Sequence, residues 1–319
     1  MNMASSRELP ILVFTIIVFV AFSMLSRSFL TVSGMRLVFE QAAIVGIIAI
    51  AVTMTLIMGG IDLSVGSLMA MMAATVGILM NHGVPSPLAC LLTLAFGGIC
   101  GLANGLLVTK ANIPDIVTTL GTMYVFRSAG ILLSGGIWIK DFPASFNVYA
   151  RGSLLGVPVP VIIWLSLTAL FAYILKYTWF GRRIYAIGGN TNAAWLSGIS
   201  VSATKTTVYV LSGVFAAVSG IIFASKVGNV QVSTVALNLP FDVLAAILIG
   251  GTSVFGGIGS PIGTALGAVA LSAVQSGVIQ VRLSPYWIDV SVGLFILLAV
   301  VLNTVRRVQV DRKLMRVLQ

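Results

Sequence analysis

Tyr177-Thr-Trp-Phe-Gly-Arg-Arg-Ile-Tyr-Ala-Ile-Gly-Gly-Asn190-Thr-Asn-Ala-Ala-Trp-Leu-Ser-Gly-Ile199 is the stretch on which the reading of this chain turns. Very apolar runs flank it, yet it carries Arg182 and Arg183 and is bracketed by Lys176 and Lys205. Gly188-Gly189-Asn190 is expected to stop one element and cap the next, because an Asn side chain at an N-cap accepts a hydrogen bond from a free backbone N–H. The run 193–199 then has room for about two helical turns. A short helix between two apolar spans, on a basic side of a membrane, predicts a docking point for a soluble partner.

Composition supplies the membrane. The chain has 319 residues, 58% hydrophobic and 8% charged. A soluble domain carries roughly 25% charged residues, so an integral membrane protein is indicated. The net charge of +10 is carried at the ends of apolar runs, as the positive-inside rule expects, which argues against nucleic acid as a partner. Cys90 and Cys100 fall in one predicted span, about 15 Å apart along a helix, too far to bridge each other, and are read as packing residues. The N-terminal apolar run ends in Ser26-Arg27-Ser28-Phe29 without a small-residue cleavage site, so it is expected to be a retained first span.

Apolar runs divided by Gly, Pro and charges predict an all-α membrane protein of about ten transmembrane helices, near 10–26, 39–58, 66–81, 87–109, 114–134, 159–176, 204–224, 240–252, 260–281 and 286–303. The run at 240–252 is too short to cross, so broken helices are expected. If the N-terminus is cytoplasmic, Arg7, Lys110, Lys176, Arg182, Arg183, Lys205, Arg306, Arg307, Arg312, Lys313 and Arg316 lie inside. Arg27, Arg36, Lys140, Arg151, Lys226 and Arg282 lie outside, and Arg127 within a span. The excess favours cytoplasmic termini, a cytoplasmic 177–203 and an outer 135–158.

Three helix starts use Pro where a missing N–H costs nothing: Pro114, Pro240 and Pro285. Asp115 and Asp242 then sit in first turns, where the helix dipole stabilises an acid; the alternative is a transport role. Gly97/Gly101/Gly105 and Gly259/Gly263/Gly267 have the spacing that lets helix backbones approach closely in lipid, and a dimer contact could add to that packing.

Gly59-Gly60-Ile-Asp62-Leu-Ser64-Val-Gly66-Ser67 breaks a long apolar region. Irregular backbone at membrane depth is tolerated only when buried in protein or lining a cavity, and an acid there marks function by default. Two readings stay open: Asp62 lines a transport pathway with Ser64 and Asp242, or it caps the following helix at the cytoplasmic surface through Ser64 or the backbone. Gly250–Ser260 is a second glycine-rich break. It lacks the Lys of a phosphate-binding loop and is read as a tight reversal. Arg127 is expected to snorkel or pair with an acid, a polar-ligand contact being the alternative. With His82 as the single histidine, neither a His-based metal cluster nor a catalytic triad can be assembled.

Four motifs, 59–67, 180–190, 193–199 and 249–257, occur in the order and spacing of the ribose-type permeases of bacterial ABC importers, which the chain resembles over almost its whole length. The resemblance implies a type II importer-like permease, residues 1–319 forming one transmembrane domain in the inner membrane with a cytoplasmic coupling segment at 177–203. It implies import of a monosaccharide, ribose- or rhamnose-type or related, and no cofactor in this chain. ATP and Mg would belong to a partner ATPase subunit. A periplasmic sugar-binding protein and a second permease copy or paralogue would complete the assembly. The coupling helix would comprise Asn190, Asn192, Ala193, Ala194, Trp195, Leu196, Ser197, Gly198 and Ile199.

Family members commonly have an acid where this chain has Asn192 and a base where it has Trp195. An aromatic anchor built of Trp195, Leu196 and Ile199 on one helix side is therefore expected to replace part of an ion pair, unless Trp195 rests on the membrane interface instead. Gly135–Lys140 is similar to the rhamnose- and autoinducer-2-type branches. The rival readings are a proton-coupled secondary transporter or channel working through Asp62, and an intramembrane enzyme, for which the residues are lacking.

Overall fold

The computed structural model describes residues 5–317, with side chains from Leu9 to Val301 and at Thr304. Arg7, Arg306, Arg307, Arg312, Lys313 and Arg316, counted above on the cytoplasmic side, lie outside the described side chains. The helices run in the order α1 Ser5–Leu25, α2 Val32–Ile57, α3 Val65–Asn81, α4 Ser86–Thr109 and α5 Asp115–Leu133. A 3₁₀ turn at Ala144–Asn147 and a short α6, Val148–Arg151, follow, with a hairpin of β1 (Ser153–Leu154) and β2 (Val157–Pro158). The remainder is α7 Val159–Tyr177, α8 Trp179–Gly189, α9 Thr191–Leu196, α10 Val201–Val227, α11 Leu239–Ile249, α12 Pro261–Gln280 and α13 Tyr286–Val317.

Among the described residues six helices are long and apolar enough to cross a membrane: α2, α4, α5, α7, α10 and α12. Apolar stretches of α1, α3, α11 and α13 are shorter. The bundle is layered. In α2, 78% of the spanning window is buried within the protein, against 22% in α5, so α2 is a central post and α5 a peripheral helix. Helices α10 and α12 also belong to the centre, and the largest core cluster joins residues from α2, α3, α10, α11 and α12.

The first glycine stripe packs as expected. A Cβ on Gly97 would lie 2.6 Å from the Gly213 carbonyl, and one on Gly105 would lie 2.9 Å from Thr206 Cα, so α4 and α10 touch backbone to backbone. In the second stripe Gly263 and Gly267 press on the Gly250 and Ala246 carbonyls, but Gly259 lies before the helix, which starts at Pro261 with Ser260 as its cap. Cys90 and Cys100 are free and buried in α4.

Helix α2 starts seven residues before the predicted apolar run. Thr31 caps it by accepting from Gly34 N–H, and Arg36 pairs with Glu40 one turn on at 2.6 Å, so a polar first turn is sustained. Lys226, at the end of α10, reaches the other Glu40 oxygen at 3.0 Å, and Arg151 donates to the Lys226 carbonyl. Three of the basic residues assigned to the outer side, Arg36, Arg151 and Lys226, thus gather around Glu40. Arg127 departs from its expectation. It neither pairs with an acid nor snorkels; it donates to the carbonyls of Val232, Val235 and Ala236 at 2.6, 2.6 and 3.3 Å. Those carbonyls belong to the non-helical segment between α10 and α11, where no ladder or helix uses them, so a planar guanidinium finds several acceptors together.

Candidate coupling site

The stretch 177–199 folds as two consecutive helices, α8 and α9. Thr178 caps α8 through Gly181 N–H, and the helix ends at Gly188-Gly189-Asn190 as expected, with the two glycines as its last residues. Asn190 caps α9 as expected, accepting from Ala193 N–H at 3.0 Å, while Thr191 donates back to the Ile187 carbonyl and keeps α9 against α8. Helix α9 is shorter than the two turns expected. Gly198 N–H donates to Trp195 O and Ile199 N–H to Ala194 O, a reversal that needs the left-handed conformation of Gly198, φ +80°. That reversal ends the helix at Leu196 and leaves Ile199 beyond it, which corrects the expected Trp195–Leu196–Ile199 face. What remains outward is Trp195, 68% exposed, and Leu196, 77% exposed, with Asn192, Ala193 and Ser197 also exposed and Ala194 buried beneath.

Beside α9 lies a cleft of about 650 Å³, bounded by the α4–α5 turn (Asn112–Asp115), Trp195, Gly198–Ser202 and Lys205. Its back wall is tied together by Asp115. Lys205 Nζ approaches the carboxylate at 3.2 Å, and Tyr209 OH donates to it at 2.8 Å. The dipole at the start of α5 is only part of what holds this acid.

Further along the same face of α10, Ser212 donates to Asp62 Oδ2 at 2.6 Å. Asp62 Oδ1 accepts from Ser64 N–H at 3.0 Å and Ser64 Oγ at 2.7 Å, and Asn104 of α4 donates to that Ser64 oxygen. Asp62 is 3% exposed. It fixes Ser64, the residue that precedes α3, and does so inside the protein and not at a surface. Asp242 has other partners. Its Oδ1 accepts from Gln275 of α12, whose own oxygen accepts from Gln41 of α2. Asp62 and Ser64 are thus brought together by direct hydrogen bonds, and Asp242 shares none of those bonds.

Sequence reasoning named Lys205 only as a flanking charge, without its Asp115 partner, and missed Tyr209, Ser212 and Asn104. Lys205, Tyr209 and Ser212 are spaced i, i+4, i+7, one helix face, and this polar stripe on an apolar span was the available signal. It also missed Tyr185, whose hydroxyl donates to the Gly259 carbonyl at 2.7 Å. Burial pushes the Tyr185 phenol up, so it remains a donor.

A family model described as "Branched-chain amino acid transport system / permease component" matches residues 34–301. The chain belongs to that family. This permease is 36% identical over 314 residues to the autoinducer 2 import system permease protein LsrC of Escherichia coli (strain K12 / DH10B), covering 98% of this chain and 91% of the relative. The LsrC of Salmonella typhi is 35% identical over 312 residues, with 98% and 90% covered. No solved structure matches the chain. The importer-permease resemblance read from four motifs is therefore the right one: the chain is a multi-pass transport permease subunit of an ABC importer, and not an enzyme.

Proposed function

We propose that this permease carries a monosaccharide or a related small polyhydroxylated solute across the inner membrane, driven by ATP hydrolysed on a separate subunit. Its similarity to autoinducer 2 import permeases along 98% of the chain carries the reading and directs the substrate test to that solute class. All ten apolar helices, the short ones included, take part in one transmembrane domain, with both termini in the cytoplasm. Residues 177–203 face the same compartment.

Helix α9 is the coupling helix. Its exposed Trp195 and Leu196 form an apolar contact for the ATPase, and Asn190, Asn192, Ala193, Ala194, Ser197, Gly198 and Ile199 shape and hold it. Asp62 and Ser64 are structural: Asp62 accepts three hydrogen bonds with both oxygens engaged, which favours a fixed tie between α3 and α10 over proton coupling. Asp242 is likewise a tie, between α11 and α12. A periplasmic solute-binding protein and a second permease subunit complete the importer.

Reconstitution tests the whole reading. The permease, its ATPase and its binding protein in liposomes should take up labelled autoinducer 2, ribose or rhamnose only with ATP. Uptake driven by a proton gradient without the ATPase would overturn it.

A further inference from the structure

Three glycine-rich stretches far apart in sequence meet at one point beneath α8. The Gly257 N–H donates to the Ile57 carbonyl, the last of α2, at 2.8 Å. A Cβ on Gly188 would collide with that same carbonyl and lie 2.7 Å from Gly257 N. One on Gly256 would come within 3.0 Å of the Ile57 carbonyl, 3.1 Å of the Gly188 carbonyl and 3.2 Å of Gly59 N. Gly59, Gly256 and Gly257 all have φ near +80°, at 80°, 84° and 74°. Side chains are therefore excluded from this point twice, by space and by backbone conformation. Tyr185, less than one turn before Gly188 on α8, adds the hydrogen bond to Gly259 O. The two chain breaks that meet here are the ones that interrupt the bundle: 58–64 between α2 and α3, and 250–260 between α11 and α12.

We propose that Gly188 and Tyr185 are positioning residues that lock α8 to both breaks, so that a displacement of the coupling segment reaches α2–α3 and α11–α12 at once and as a rigid body. A hinge or loop at this point would absorb such a displacement. Direct backbone contact with no intervening side chain transmits it, because packed groups have no rotamers through which to yield. The Thr191–Ile187 bond and the Asn190 cap carry the motion from α9 into α8. The proposal rests on the coupling role given to α9 above.

The test uses the permease purified with its ATPase in nanodiscs, in a Cys90→Ala/Cys100→Ala background, with and without ATP and vanadate. Spin labels on Gly189→Cys and Ile258→Cys report the junction through short-range dipolar broadening. A Leu155→Cys/Ile258→Cys pair, read by pulsed resonance, reports the distance across the bundle. The junction pair should keep its broadening on trapping ATP while the cross-bundle pair changes. Tyr185→Phe should leave co-purification of the ATPase unchanged and weaken the cross-bundle response by about fivefold, the value of one hydrogen bond. Gly188→Ala should abolish that response; if it fails to fold, Tyr185→Phe decides.

A junction pair that changes with ATP would overturn the proposal, as would two static pairs, or variants that respond like the parent. Failure of the unsubstituted permease to retain the ATPase would instead sink the coupling reading, and the proposal with it.

Discussion

Helices α8 and α9 lie end to end and share a cap at Asn190, yet one faces inward and the other outward. In α8, Gly181, Ile184 and Ile187 are buried, Gly188 touches the end of α2, and Tyr185 bonds to the loop before α12. In α9 only Ala194 is buried, and its two largest side chains are more than two thirds exposed. With the coupling role proposed for α9, the contrast divides folding energy and partner recognition between neighbours. A bulky substitution on the buried face of α8 should read out as stability, and one on the exposed face of α9 as assembly.

Four substitutions break or sharpen that division. Gly188→Leu should be the most damaging, because its side chain would have to displace the Ile57 carbonyl; overpacking of this kind costs about 1–3 kcal/mol or more, and loss of folded protein on thermal unfolding in detergent is expected. A normal melting curve would erase the inward role of α8. Leu196→Asp should leave that curve within about 0.5 kcal/mol but reduce ATPase retention by about thirtyfold, the weight of an interface hot spot of about 2 kcal/mol. Equal retention in a pull-down with the ATPase would remove α9 from the contact.

Gly198→Ala strains a residue at φ +80°, so about 1–2 kcal/mol of local stability should be lost at the end of α9, seen as faster amide exchange over 194–199 with the bundle unchanged. The smallest effect belongs to Asp62→Asn, which keeps one acceptor for Ser64 N–H or Ser212 and should cost about 1 kcal/mol with transport preserved. A well-folded Asp62→Asn variant with no transport would return this acid to the solute pathway.

The apolar runs made the helices legible because burial in lipid is written into hydropathy, and Pro114, Pro240 and Asn190 marked their starts through local chemistry. The end of α9 was misjudged because a glycine in the left-handed region overrode helical pattern within two residues. Arg127 was misjudged for a different reason. Its partners are backbone carbonyls more than 100 residues away, and no sequence pattern announces a carbonyl left free by an irregular segment. The joining of Gly59, Gly188 and Gly257 was equally hidden, since each glycine had a sufficient local explanation as a turn or stop. Only the long-range packing shows that they answer to one another.

The β1–β2 hairpin gives the permease a practical handle. Its tip, Leu155–Gly156, joins strands of two residues each, and Leu155 is 97% exposed, with open space around Gly156. Exposed tips of this kind accept insertions readily. An epitope or protease site placed there would show, in intact and in permeabilised cells, which compartment this end of the molecule meets.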